Sequence, residues 1–205
     1  MHATYELHSG LSFGAGHGYS QSVRMGQRWD AAYLTGTGSE LVDELRAVVK
    51  ATGSPMLRSI VQMALVEAGR PAEARAVLRG LAPSPKGYLW LYTRCWSLLA
   101  AARLGETERV IGLRDQLLPY RRLSCAVSAV LVSGSVAYFT GEAALALGDP
   151  DAALADFAIA VETDEAMAAL PWLAWMRDAI NTAVAAGSID LEGGRADDNT
   201  CGDIP

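Results

Sequence analysis

The chain has 205 residues, 51% of them hydrophobic and 20% charged, with a formal net charge of −6 at neutral pH. That length and apolar fraction suit a folded chain with a sizeable core and exclude a wholly disordered one. The acidic balance gives a polyanion such as nucleic acid little to bind, because that binding sets lysines and arginines against phosphates; only two of the 17 basic residues are lysines, Lys50 and Lys86.

Residues 1–20 are glycine-rich, carry all three histidines (His2, His8 and His17), and read as a flexible leader. They lack the basic and apolar regions of a secretory signal. From Gln21 to Gly187 helix formers dominate, and the segment reads as one helical domain. Gly36, Gly69, Gly105 and Gly148 fall between apolar runs at separations of 33, 36 and 43 residues. Pro71 and Pro150 follow two of them closely, at positions that open a helix without losing a needed N–H. GEAALALGDPDAALADF (141–157) is therefore two helices with a turn at Gly148. The stretch Ala126–Val132 is the nearest thing to a strand and is expected to be loop and helix start. PWLAWMRDAINTAVAAG, from Pro171 to Gly187, reads as a final capping helix. Residues 188–205 are acidic and poor in large apolar groups, and are expected to form a disordered tail.

A two-helix unit repeating every 34 residues or so is the tetratricopeptide period. Gly141, Gly148, Ala153, Phe157 and Ala160 match that repeat's small–glycine–alanine–aromatic–alanine pattern. The other three copies match about half of it, and in one of them Arg114 occupies the large apolar position. The expected fold is all-α: a solenoid of about four antiparallel helix pairs plus a cap, with the cap covering the apolar face of the last repeat. In such a fold the first helix of each pair lines a concave groove. That places Asp30, Tyr33, Met56, Ser59, Met63, Tyr92, Cys95, Leu99, Tyr138 and Glu142 toward a protein or peptide partner. The alternative is that a short superhelix packs these same side chains as core.

Chemical motifs find little support. Gly10–Gly14 spells G-x-S-x-G, but a nucleophile elbow needs a preceding strand and a downstream acid and histidine. GAGHG (14–18) lacks the spacing of a dinucleotide loop. The three histidines share no helical face and no cysteine cluster, so no metal site is expected. Cys95, Cys125 and Cys201 form no framework and imply a reducing compartment. Glu40, Asp43, Glu44, Glu106 and Glu108 sit near helix starts, where they favour the helix dipole.

The order of Leu118, Pro119 and Tyr120, then Ala153, Phe157 and Ala160, then Pro171, Trp172, Leu173 and Ala174 resembles a known arrangement. It is similar to the C-terminal tetratricopeptide-like segment of large ATP-dependent transcriptional regulators of high-GC bacteria, LuxR-type proteins among them. The resemblance implies a helical repeat serving transcriptional or signalling control. It does not carry over ATP or DNA binding, because Lys50 and Lys86 stand in no P-loop and no helix-turn-helix follows the repeats. The functional expectation is a non-enzymatic, cytoplasmic protein–protein interaction module with no cofactor and no membrane span. Two alternatives stay open. One is a small-molecule sensor with an apolar pocket near Tyr92, Trp96 and Tyr138. The other is a fragment of a longer regulator, which an exposed apolar edge around Val23–Tyr33 would favour. Oligomeric state stays open as well.

Overall fold

Glycines turn this chain and prolines restart it. In the computed structural model, which describes residues 17–80, 86–127 and 131–196, the four turn glycines have left-handed φ values of 71°, 66°, 69° and 78°. A residue with a Cβ resists that conformation, which is what stops a helix there. Pro55, Pro71 and Pro150 each open a helix. Ahead of two of these prolines a side chain caps the start: Ser54 accepts from the Leu57 N–H and Asp149 from the Ala152 N–H. Such caps satisfy N–H groups that have no partner inside the helix.

The described residues form nine α-helices and one small sheet: α1 His17–Leu34, α2 Val42–Thr52, α3 Pro55–Glu67, α4 Pro71–Arg79, α5 Trp90–Arg103, α6 Thr107–Leu117, β1 Ser124–Val127, β2 Leu131–Ser135, α7 Val136–Ala146, α8 Pro150–Ala166 and α9 Leu170–Ala196. Single 3-10 turns precede α2 (Gly38–Leu41) and follow α6 (Leu118–Tyr120). No helix among the described residues is long and apolar enough to cross a membrane.

Neighbours in sequence are neighbours in space. α1 packs on α2 and α3, α3 on α4 and α5, α5 on α6 and α7, and α7 on α8, which packs on α9. In the α7–α8 pair, Gly141 lies under the Phe157 ring, so closely that a Cβ at 141 would meet Cε1 at 2.5 Å. Ala153, Phe157 and Ala160 are wholly buried. Small residues here let the helices close on the aromatic ring. Where the third pair departs from the pattern, a charge pair replaces the apolar contact. Arg114 donates to the Thr140 carbonyl and to Asp156, a buried carboxylate that Arg121 also reaches.

The stretch expected as loop and helix start contributes to two paired strands. β1 and β2 pair antiparallel, with Ala126 opposite Val132 and Val127 opposite Leu131. A two-stranded ribbon is marginal alone and needs packing partners. β1 rests on α5, and β2 on α1, α7 and α8. The strand signal in the sequence is hidden because the apolar run continues from β2 straight into α7. Both ends of the domain also differ from expectation. α1 begins at His17, inside the expected leader, and α9 runs to Ala196, past Gly187 and into the expected tail. A glycine kept in helical conformation costs about 1 kcal/mol, and Gly187, unlike the turn glycines, does not take a positive φ. The rest of the expected leader and tail, 1–16 and 197–205, lies outside the described residues.

The first and last helices meet. The Tyr33 ring on α1 lies 5.0 Å from Trp175 and 6.1 Å from Trp172, both on α9. Val23, Met25, Trp29 and Tyr33 are buried, so the edge around Val23–Tyr33 is covered.

Candidate functional site

The inner faces of α1, α3, α5 and α7 converge on one aromatic core. Trp96 touches Trp29, Tyr33, Tyr92 and Phe139 at ring separations from 4.9 to 6.3 Å. The edge-to-face pairs among them match the positive edge of one ring to the negative face of the next. All ten side chains expected to line an open groove lie in this interior: Asp30, Tyr33, Met56, Ser59, Met63, Tyr92, Cys95, Leu99, Tyr138 and Glu142 are at most 8% exposed. They are packed as core because β1, β2 and α9 close over the face on which a groove would lie. The pocket region named for a sensor, at Tyr92, Trp96 and Tyr138, is filled by these same rings.

Some polar groups inside this core pair with one another, whereas the Trp29 indole nitrogen, the Gln62 side-chain oxygen and one Glu67 oxygen are buried without a hydrogen-bond partner. Tyr33 and Tyr138 hydroxyls are 3.1 Å apart, and the Trp175 indole N–H donates to the Tyr138 oxygen at 2.8 Å. Burial pushes the Tyr33 pKa up to about 12 and Tyr138 well above its usual value. Arg103 reaches in from the surface and donates to Glu142 at 2.6 Å. Burial raises Glu142, while Arg103 acts in the opposite direction. Burial also lifts Glu67 to about 7, again against Arg103. Deeper in, the Ser133 hydroxyl on β2 donates to Asp30 at 2.7 Å. Burial outweighs that bond and raises Asp30 to about 8, so at neutral pH it is largely an uncharged acid. Cys95 and Cys125 are free, buried neighbours, and burial holds the Cys125 thiol protonated. These are groups committed to packing. Their carboxyls are neutral or paired, and a buried charge is tolerable only on those terms.

The outer side of α5 and α6 is different. Two adjoining hollows open there, of about 780 and 540 Å³, sharing Gln116. The larger lies over the α5–α6 turn between Arg75 and Arg109. It is largely self-satisfied: Arg75 donates to Glu106 at 2.9 Å and to the Leu104 carbonyl, and Arg109 donates to the Leu78 carbonyl. The smaller lies between Lys86, Trp90, Arg94 and Tyr120. Trp90 and Tyr120 meet edge to face at 5.4 Å, and the Lys86 ammonium sits 5.3 and 5.2 Å from their centroids while donating to the Tyr120 hydroxyl. This is a cation held on two aromatic faces.

Sequence reasoning missed this second hollow. Trp90 and Arg94 are four apart on a helix and therefore share a face, which is a readable signal. Tyr120 and Lys86 join them only through the packing of α6 on α5. Among the described residues, no group of three or more histidines, cysteines or acids is placed to hold a metal ion. No protein-family model matches the chain, and neither the curated proteins nor the solved structures contain a significant match to it.

Proposed function

We propose that this chain is a non-enzymatic protein–protein interaction module of tetratricopeptide-like helix pairs, acting in transcriptional or signalling control, and that it meets its partner on the outer face of α5 and α6. The observation that carries the reading is the division of polar groups between the two faces. Inside, the largely enclosed Tyr33, Glu142 and Asp30 are paired with Tyr138, Arg103 and Ser133 respectively. Outside, two adjoining hollows carry arginines, and the smaller one is also walled by Lys86, Tyr120 and the edge of the largely buried Trp90. Arginine and aromatic residues in a recess are the composition favoured at the energetic centre of protein interfaces. The four glycine-turned pairs and the Gly141–Phe157 contact support the repeat assignment.

The test is site-specific photo-crosslinking in cells of the source organism. A benzoylphenylalanine at Gln116, on the rim of both hollows, should give a discrete adduct that is reproduced with the purified partner. The same group at exposed Asp178 on α9 should give none. Adducts only from Asp178 would move the interface and leave the module. No adduct from either position would remove the interaction reading.

A further inference from the structure

We propose that the hollow between Lys86, Trp90, Arg94 and Tyr120 is a receptor for a single carboxylate side chain of a protein partner, carried beside an apolar residue. This rests on the interaction-module reading and names the chemistry of its contact. The first argument is the state of Arg94. Eight other arginines have carboxylate partners: Arg28, Arg46, Arg70, Arg75, Arg103, Arg114, Arg121 and Arg122. Among the described arginines without one, Arg24, Arg58, Arg79 and Arg177 are exposed and have water. Among those whose exposure is described, only Arg94 and Arg109 are half-buried, and Arg109 has the Leu78 carbonyl. The Arg94 Nε–H is enclosed and has no acceptor. The enclosed Nε–H lies out of a ligand's reach, so a carboxylate in the hollow would be met by the terminal nitrogens of the guanidinium, through two parallel bonds. Burial and the neighbouring Arg109 both depress the Arg94 pKa, as expected of a cation short of negative charge.

The rest of the hollow narrows the ligand. Its volume of about 540 Å³ admits one or two side chains. Trp90 and Tyr120 offer an apolar wall to the residue beside the carboxylate. Lys86, held across those rings, adds a second positive charge at the mouth. Asp115 lies on the same rim and would repel a second negative group. A polyanionic strand is therefore disfavoured twice, by Asp115 and by the net charge of −6. One carboxylate next to an apolar group matches Arg94, Lys86 and the aromatic wall, with Asp115 opposing it from the rim.

The probe is a capped peptide with one glutamate between two leucines, titrated into the full chain against its glutamine isostere. The readouts are the Arg94 Nε–Hε and Trp90 indole N–H resonances in 15N spectra. The glutamate peptide should shift both signals and bind about tenfold or more tightly than the glutamine peptide, the ratio expected for a charge-assisted bond. Arg94→Gln should erase that preference. Asp115→Asn, at an exposed position, should tighten binding severalfold. Equal binding of the two peptides, shifts confined to other residues, or saturation by inorganic phosphate with the peptide inert would each overturn the proposal. Failure here with a Gln116 adduct present sinks the carboxylate chemistry alone. A peptide preference without any adduct keeps the receptor and sinks the proposed partner.

Discussion

The two sides of α5 put similar residues to opposite uses. Toward the interior, Tyr92, Cys95, Trp96 and Leu99 are completely enclosed and form the centre of the aromatic core. Toward the outside, Trp90 and Arg94 line a hollow, with a lysine resting on its aromatic wall. The difference lies in what covers each face. α3, α7 and β1 cover the inner one, whereas the outer one faces α6 and the turn that follows it. An aromatic residue is therefore wholly enclosed on one side of a single helix and part of the wall of an open hollow on the other. Residue type alone does not separate the two.

The strongest way to break the comparison is Trp96→Ala. Removing an enclosed indole that touches four other rings should destabilise the fold by about 3–5 kcal/mol, read from denaturant unfolding. A much smaller loss would mean that the inner face is not the core.

Asp30→Asn sharpens the comparison by pH. The folded-state pKa of about 8 lies above the usual 3.8, so folding favours the protonated acid. Its contribution to stability is complete below about pH 4 and is lost as pH rises through about 8. Glu67 and Asp164, both raised to about 7 chiefly by burial, tilt stability in the same direction. The asparagine variant should match wild type at the acid end and exceed it by ~1–3 kcal/mol above Asp30's pKa, because it removes an enclosed charge. Melting temperatures across that range decide it. A wild type that gains stability with rising pH would contradict the buried-acid reading.

Gly141→Ala tests the packing that the repeat pattern encodes. In an ordinary helix this change is favourable by roughly 0.5–1 kcal/mol. Here the added methyl runs into Phe157, so a loss of about 1–3 kcal/mol is expected, partly recovered by adding Phe157→Leu. The sign of the single-variant effect, measured by thermal unfolding, is the check.

The smallest effect belongs to the outer face. Arg94→Gln should change stability by no more than about 0.5 kcal/mol, since its Nε–H holds no acceptor in the fold. A loss as large as that of Trp96→Ala would assign Arg94 to the core and erase the contrast.

The helical class and the turns were legible from residue types because their causes are local. A glycine at positive φ ends a helix and a proline at the first turn begins one wherever the chain goes, so Gly148 and Pro150 announced two helices unaided. Gly141 and Phe157 were legible for a related reason, since a close approach between successive helices needs a small residue at a set spacing. Other features depended on distant partners. Ala126–Val132 carried no clear strand signal, because a ribbon of nine strand residues is stable only against α1, α5, α7 and α8. Tyr33 and Tyr138 were expected to line a groove, but a helix's sequence cannot say whether that face looks into water or onto Trp172 and Trp175. The hollow at Arg94 was equally hidden, since Lys86 and Tyr120 are 34 residues apart and meet only when α6 packs on α5. Backbone sterics act within a few residues and are written in the sequence. Enclosure is a property of the assembled surface, and only the tertiary structure decided which side of each helix would be closed.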